Sequence, residues 1–231
     1  MATRSSAPSP TLVLLVRHAR TPTTGQVLPG RARGLHLAEE GVTQAKATAE
    51  RIAAFASGPD RPAARRARGR PEPPRFEAVY SSPMERARET AGPIAEALGL
   101  PVTVERGLTE CDFGEWTGAE LKALARRPEW KAVQSWPSGF RFPGGESFLE
   151  MQARAVGAVE RLLSRHRGAA VVAVSHADPI KAVVAQALGT HLDLFQRIAI
   201  SPASVTAIAY GETGPRVLAV NSISSLGELG P

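Results

Sequence analysis

Two apolar runs stand out along the chain as candidates for buried strands. Residues 11–16 (TLVLLV) and 169–174 (AAVVAV) are almost wholly apolar, which is typical of strands covered on both faces of a sheet. Each run leads directly into a histidine-containing polar pair, with His18 after the first and His176 after the second. Weaker strand signals lie at 78–80, at 102–105 and in a C-terminal hairpin formed by 204–210 and 216–221.

Helical segments alternate with these strands. They are predicted at 39–56, 83–98, 145–165 and 179–188. The second helix has the clearest start, with Ser82 as N-cap, Pro83 at the first helical position and Glu85 completing a capping box. Asp178 before Pro179 predicts another N-cap. The alternation indicates an α/β fold, a three-layer sandwich with a mostly parallel open sheet and helices on both faces.

Length and composition favour one globular domain. The chain has 231 residues, of which 43% are hydrophobic and 22% charged. We expect a single domain over 11–223, with a flexible N-terminus at 1–10 and a short tail at 224–231. No apolar run approaches the roughly 20 residues of a membrane span, and the N-terminus has no signal-peptide core. With Cys111 as its one cysteine, the chain is expected to be cytoplasmic, without a membrane partner.

The positive charge is concentrated in one segment. The net charge is +6, and residues 61–75 hold six arginines and one glutamate, which accounts for five of those charges. This proline-rich stretch has no large apolar residue, so we interpret 58–75 as a solvated loop inserted in the domain. Nucleic acid is therefore not an expected partner, although an anion-binding patch remains an alternative. The sequence leaves open whether the chain forms a homodimer.

Chemically useful side chains follow four of the predicted strands. His18 and His176 come after the two apolar runs. Arg86 lies in the first turns of the helix that follows the predicted strand at 78–80, and Glu110 lies shortly after the predicted strand at 102–105. Ligands of open α/β sheets bind beyond the carboxyl ends of the strands. The sequence thus predicts that two histidines, an acid and an arginine meet at one edge of the sheet.

Several other site types are excluded by inspection. The chain has no Gly-Lys dipeptide and hence no Walker loop, and Thr117 stands where a Cys-x5-Arg phosphatase loop starting at Cys111 would need arginine. Neither His-Glu-x-x-His nor paired cysteines are present, and Gly144-Gly145 is not a nucleophile elbow. No metal, cofactor or serine nucleophile is expected.

Five motifs in order resemble those of the histidine phosphatase superfamily, which also includes phosphoglycerate mutases. They are 15–21 (LVRHART), 81–87 (SSPMERA), 108–118 (LTECDFGEWTG), 142–147 (FPGGES) and 174–177 (VSHA). The fourth motif is similar to an element of the phosphatase branch. The resemblance implies a phosphoglycerate mutase-like fold over nearly the whole chain and a metal-independent phosphatase acting on small phosphorylated metabolites.

The resemblance also implies roles for individual residues. His18 would attack phosphorus and form a phosphohistidine, Glu110 would protonate the leaving oxygen, and His176 would contact the transferring phosphoryl group. Substrate binding would fall to four further positions: Arg17, Arg86, Thr24 and Ala177. Arginine suits this task because its planar fork matches phosphate bidentately.

The sequence departs from the family pattern at three positions. Ala19 and Ala177 replace the glycines that usually follow the two histidines, and a methyl group there would narrow the approach of backbone to phosphate. Thr24 stands where the family often has asparagine. Arg31 and Arg33 either contact an anionic substrate or are solvated.

The three tryptophans leave a similar choice between core packing and a substrate wall. They are Trp116, Trp130 and Trp136. Core packing is the favoured interpretation, because buried aromatic rings contribute mainly through packing.

Three functions remain in competition. A phosphatase is favoured, a phosphoglycerate mutase would share the nucleophile, and a non-catalytic protein would bind a phosphorylated ligand or polyanion with the arginines. Binding alone requires no nucleophile and acid, which argues against the third.

Overall fold

The computed structural model describes residues 9–57 and 75–223. The predicted tail, almost all of the predicted flexible N-terminus and residues 58–74 of the predicted basic loop lie outside the described residues. The strands are β1 (Thr11–Arg17), β2 (Phe76–Ser81), β3 (Val102–Val104), β4 (Ala170–Ser175), β5 (Val205–Gly211) and β6 (Gly214–Ser222). The helices are α1 (Glu39–Ser57), α2 (Glu85–Leu98), α3 (Leu121–Leu124), α4 (Pro128–Ser135), α5 (Phe148–Arg165) and α6 (Ala177–Ala187).

The strands form one six-stranded sheet in the order β3-β2-β4-β1-β5-β6. The first four of these are mutually parallel, while β5 runs antiparallel to both β1 and β6. In the central pair, Arg17 of β1 is in register with Ser175 of β4. The predicted mostly parallel sheet is confirmed, and its two apolar runs are the two central strands.

Helices cover both faces of the sheet because the side chains of β1 alternate between them. Leu14 and its even-numbered neighbours pack with α1 and α2, while Leu15 and Val13 pack with α5 and α6. This arrangement gives the predicted three layers. Among the described residues, no helix is long and apolar enough to cross a membrane.

A separate aromatic cluster packs beneath α3 and α4. Trp116 is buried, stacks on Trp130 with centroids 6.3 Å apart, and meets Phe142 edge-on at 5.4 Å. The favoured core-packing interpretation therefore describes these two tryptophans. Trp136 differs, since 60% of it is exposed.

The predicted N-caps of two helices are wrong, and the helix predicted from residue 145 begins at Phe148. Helix α2 begins at Glu85 with Met84 as N-cap and no side-chain cap. The Ser82 hydroxyl instead contacts His176 Nε2 at 2.8 Å, so the serine serves a neighbouring histidine rather than a capping box. Helix α6 begins at Ala177 with His176 as N-cap, which leaves Asp178 inside the first turn.

A core truncation tests the packing of β1. Leu14 is fully buried in the layer under α1 and α2, so Leu14→Ala should lower the free energy of unfolding by about 3 kcal/mol. Val104 is 47% exposed on the edge strand, and Val104→Ala should cost less than about 1 kcal/mol. Urea titrations of both variants measure the difference. Equal losses would contradict this assignment of the core.

Candidate active site

The two histidines meet where β1 and β4 end side by side. The His18 backbone N–H donates to the Ser175 carbonyl at 2.9 Å, which continues the β1–β4 ladder by one residue. The His18 and His176 rings lie edge to face, with centroids 5.1 Å apart. Both residues are buried. The predicted convergence of these strand ends is thus observed.

His18 is held as a neutral imidazole. Its Nδ1 lies 2.8 Å from the Ala19 carbonyl, which can only accept, so Nδ1 carries the proton and Nε2 keeps its lone pair. Arg86 Nε donates to Nε2 at 3.3 Å. Burial, reinforced by the positive charges of Arg86 and Arg17, lowers the pKa of His18 well below its usual value. The site therefore presents a neutral, nucleophilic nitrogen.

His176 has the opposite tautomer. Its Nδ1 accepts from Arg86 Nη2 at 3.2 Å, which leaves the proton on Nε2 to be donated to the Ser82 hydroxyl. Burial and the charge of Arg86 lower the pKa of His176 well below its usual value. One arginine thus contacts both histidines in their neutral forms.

Two arginines have buried donor atoms without partners among the described residues. Arg86 is fully buried and bonds to the Gly30 carbonyl at 2.8 Å through Nη2, but its Nη1 has no partner in the described ranges. Arg17 is partly buried and donates to the Ile200 carbonyl at 2.6 Å, while its buried Nε has no partner in that part of the chain. Because a buried unsatisfied donor costs about 1–3 kcal/mol, and more on a charged group, these atoms favour an anionic acceptor. Burial lowers the pKa of both guanidinium groups.

Glu110 is buried close to His176. Its Oε1 accepts from the Cys111 N–H at 3.0 Å, and its Oε2 lies 4.0 Å from His176 Nδ1. Burial, and then the negative charge of Asp178, raise the pKa of Glu110 to about 7, although Arg86 opposes them. The carboxyl group is thus partly protonated near neutral pH and can give up a proton.

The start of α6 adds to the site a residue that sequence reasoning used only as a helix cap. The first N–H groups of a helix, here from Ala177 onward, have no partner within the helix and favour anions. Asp178 follows in the first turn, pairs with Lys181 at 3.2 Å and acts electrostatically on Glu110. Its position two residues after His176, at a helix start, was the available signal.

Thr24, which the sequence predicts to bind substrate, forms hydrogen bonds within the turn after β1. Thr24 Oγ1 accepts from the Thr21 N–H at 2.9 Å and bonds to the Thr21 hydroxyl at 3.0 Å, so it shapes the turn. The buried Thr23 hydroxyl has no partner among the residues that the structure describes. Phosphate binding by Thr24 stays a prediction, and Thr23 becomes a second candidate. The Ala19 methyl packs in a small apolar cluster with Ala45 and Ala203.

The two arginines left open by the sequence differ. Arg31 bonds to protein groups, namely the Glu110 carbonyl at 2.9 Å, Asp112 at 3.3 Å and Glu146 at 2.9 Å. Arg33 is exposed. Within the described ranges, no group of three or more histidine, cysteine or acidic residues is arranged to hold a metal ion.

Known proteins share both sequence and fold with this chain. The model of the histidine phosphatase superfamily (branch 1) matches residues 60–223. Phosphoserine phosphatase 1 of Hydrogenobacter thermophilus is 31% identical over 223 residues, which are 94% of each chain. A metal-independent phosphoserine phosphatase of Arabidopsis thaliana is 33% identical over 180 residues, 75% of this chain and 67% of that one. Some mycobacterial relatives are longer, and the chain spans 42% of their length.

A solved structure supports the fold. A mutant phosphoserine phosphatase of Entamoeba histolytica, in complex with phosphoserine, superposes with a TM-score of 0.77 at 23% identity and covers 94% of this chain and 99% of its own. The Hydrogenobacter relative aligns with 94% of this chain, so the sequence similarity extends beyond the segment that the family model matches. The chain belongs to the histidine phosphatase superfamily, branch 1.

Proposed function

We propose that the chain hydrolyses small phosphomonoesters at this site, with His18 as nucleophile and Glu110 as acid and base. The observation that carries the proposal is the pair of buried, unpartnered donors on Arg17 and Arg86 beside the neutral His18. A phosphoryl group would accept from both arginines and lie over His18 Nε2. In this arrangement the arginines supply the charge stabilisation that phosphoryl transfer requires.

In the first step, the Nε2 lone pair of His18 forms a bond to phosphorus while the bond from phosphorus to the ester oxygen breaks. Glu110 donates its proton to that oxygen, so the alcohol leaves neutral and the carboxylate remains. The Ala19 carbonyl, 2.8 Å from Nδ1, stabilises the positive charge that develops on the imidazole. His176 and the α6 N-terminus contact the phosphoryl oxygens.

In the second step, water attacks the phosphohistidine. The Glu110 carboxylate takes a proton from that water as the new P–O bond forms and the P–N bond breaks. The lone pair returns to His18 Nε2, and Glu110 is again protonated. Phosphate leaves, and both residues are restored to their starting protonation states.

Phosphorylated serine is our first choice of substrate among small phosphorylated metabolites. Two relatives that cover much of the chain are named phosphoserine phosphatases, one of them bacterial. We place this activity in the cytoplasm of a bacterium, since the chain has one cysteine and strong bacterial relatives. The nucleophile and acid together favour an enzyme over a binding protein.

Phosphoglycerate mutase is the competing reaction. A mutase must shield its phosphohistidine from water and bind a carboxylate while the ligand reorients. The segment after Glu110 forms two short helices, α3 and α4, and leads into the phosphatase-branch element at 142–147. Because the segment leads into an element that resembles the phosphatase branch, it favours hydrolysis over the mutase reaction.

A paired assay tests the reaction type. Phosphoserine and 3-phosphoglycerate are each incubated with enzyme, the latter with catalytic 2,3-bisphosphoglycerate, and both free phosphate and isomerised product are measured. We expect phosphate release, unchanged by saturating EDTA, with isomerisation at background. His18→Ala is the matched control and should abolish release. Efficient isomerisation with little phosphate would replace the phosphatase by a mutase.

The pH dependence tests the acid. His18 must be neutral, so its low pKa sets the acidic limb of kcat/KM, and Glu110 must be protonated, so activity falls as pH rises through about 7. The negative charge of Asp178 raises the pKa of Glu110, so Asp178→Asn should move the basic limb to lower pH. Glu110→Gln should remove that limb. A basic limb that persists in Glu110→Gln would assign the acid to another group.

A further inference from the structure

One carboxylate outside the proposed chemistry gathers an unusual number of charged donors. Glu146 Oε1 accepts from Arg154 Nε at 2.8 Å, and its Oε2 accepts from Arg154 Nη2 at 2.9 Å, which is a bidentate pair. The same Oε2 accepts from Arg31 Nη2 at 2.9 Å and from the Asp112 N–H at 3.1 Å. Four hydrogen bonds therefore end on Glu146, which joins three separate parts of the chain.

Both arginines also donate to the backbone that carries Glu110. Arg31 Nε donates to the Glu110 carbonyl at 2.9 Å, and Arg154 Nη2 reaches the same oxygen at 3.3 Å. Arg154 Nη1 also bonds to the carbonyls of Gly107 and Thr109, each at 2.8 Å. The main chain is thus fixed on both sides of the residue that supplies the acid.

The two loops that carry Asp112 and Glu146 are closely packed. The Glu146 N–H donates to the Asp112 carbonyl at 2.9 Å, and a Cβ built on Gly145 would lie 2.3 Å from that carbonyl. The two loops therefore meet backbone to backbone. Burial alone would raise the pKa of Glu146, but the hydrogen bond and charge of Arg154 outweigh it and lower that pKa. The contacts of Glu146 therefore favour its ionised form.

The cluster also reaches the loop that contacts the phosphate-binding arginine. Arg31 follows Gly30, whose carbonyl accepts from Arg86 at 2.8 Å. One short loop therefore touches Arg86 on one side and the backbone of Glu110 on the other. The distance between the phosphoryl site and the proton donor depends on this link.

We propose that Glu146, Arg154 and Arg31 form a positioning cluster that holds the Glu110 carboxyl group in reach of the leaving oxygen. The inference rests on the proposed function, because it assigns the cluster to the proton-transfer step of that reaction. Its members touch Glu110 only through the main chain and are positioning residues. Displacement of a donor by a fraction of an ångström weakens proton transfer while leaving the arginines around phosphate in place.

The leaving group separates this role from general support of the fold. An alkyl phosphate such as phosphoserine needs a proton on its leaving oxygen, whereas p-nitrophenolate departs without one. We expect Glu146→Gln and Arg31→Met to lower kcat/KM for phosphoserine by about 10-fold or more and for p-nitrophenyl phosphate by less than about 3-fold. The Arg31 side chain is 35% exposed, so its variant keeps the test valid if Glu146→Gln is poorly folded.

Two controls identify the residue through which the cluster acts. In a Glu110→Gln background, Glu146→Gln should produce no further change in the phosphoserine to p-nitrophenyl phosphate ratio, because the donor it positions is already absent. Arg161→Met removes an exposed ion pair to Glu105 from the same helix as Arg154 and should leave the ratio at the wild-type value.

The results distinguish failure of the positioning role from failure of the proposed function. If the wild type turns over both substrates, but Glu146→Gln and Arg31→Met lower kcat/KM equally for the two, the positioning role is overturned. The phosphatase activity would still stand. Additive ratio changes in the Glu110→Gln background would overturn it as well. Failure of the wild type to release phosphate from either ester would overturn the proposed function and this inference with it.

Discussion

A buried, incompletely paired cation is the constraint on which the site depends. Arg86 has no exposed surface, yet its hydrogen-bond partners are two neutral imidazoles and a carbonyl, and one of its donors has no partner among the described residues. Burying a charge without a bonded counter-ion is costly, and Glu110, whose charge acts on Arg86, has a pKa raised to about 7. The site therefore lacks negative charge that a phosphoryl group would supply.

The same charge explains the state of every other group around it. A positive guanidinium between His18 and His176 helps burial to keep both rings neutral, so that His18 Nε2 keeps a lone pair and both rings accept from the arginine. Glu110 would be ionised by the arginines alone, but burial and Asp178 outweigh them. The proposed phosphate affinity, nucleophile and acid all follow from one arrangement of charge in a buried site.

Much of this arrangement follows from the sequence, because parallel strands bring their carboxyl ends to one edge. His18, Glu110, His176 and Arg86 each follow a strand and were assigned to the site on that ground. Ser82 was misassigned because a hydroxyl before a helix can satisfy either the helix or a neighbouring ring, and local sequence does not state which. The pKa of Glu110 likewise has no local signal in the sequence, since the burial of that carboxyl group is set by packing from distant segments. Links such as Arg31 to Glu146, 115 residues apart, have no local signature at all.

Rapid-quench labelling tests the central claim most directly. The enzyme is mixed with excess 32P-labelled phosphoserine, quenched in base within milliseconds, digested and mapped by mass spectrometry. The account predicts an acid-labile, base-stable phosphoryl group on His18, attached at Nε2 because Nδ1 is bonded to the Ala19 carbonyl. It also predicts no label on His18→Ala. Turnover with no phosphorylated His18 at any quench time, or a label on His176, would contradict the account.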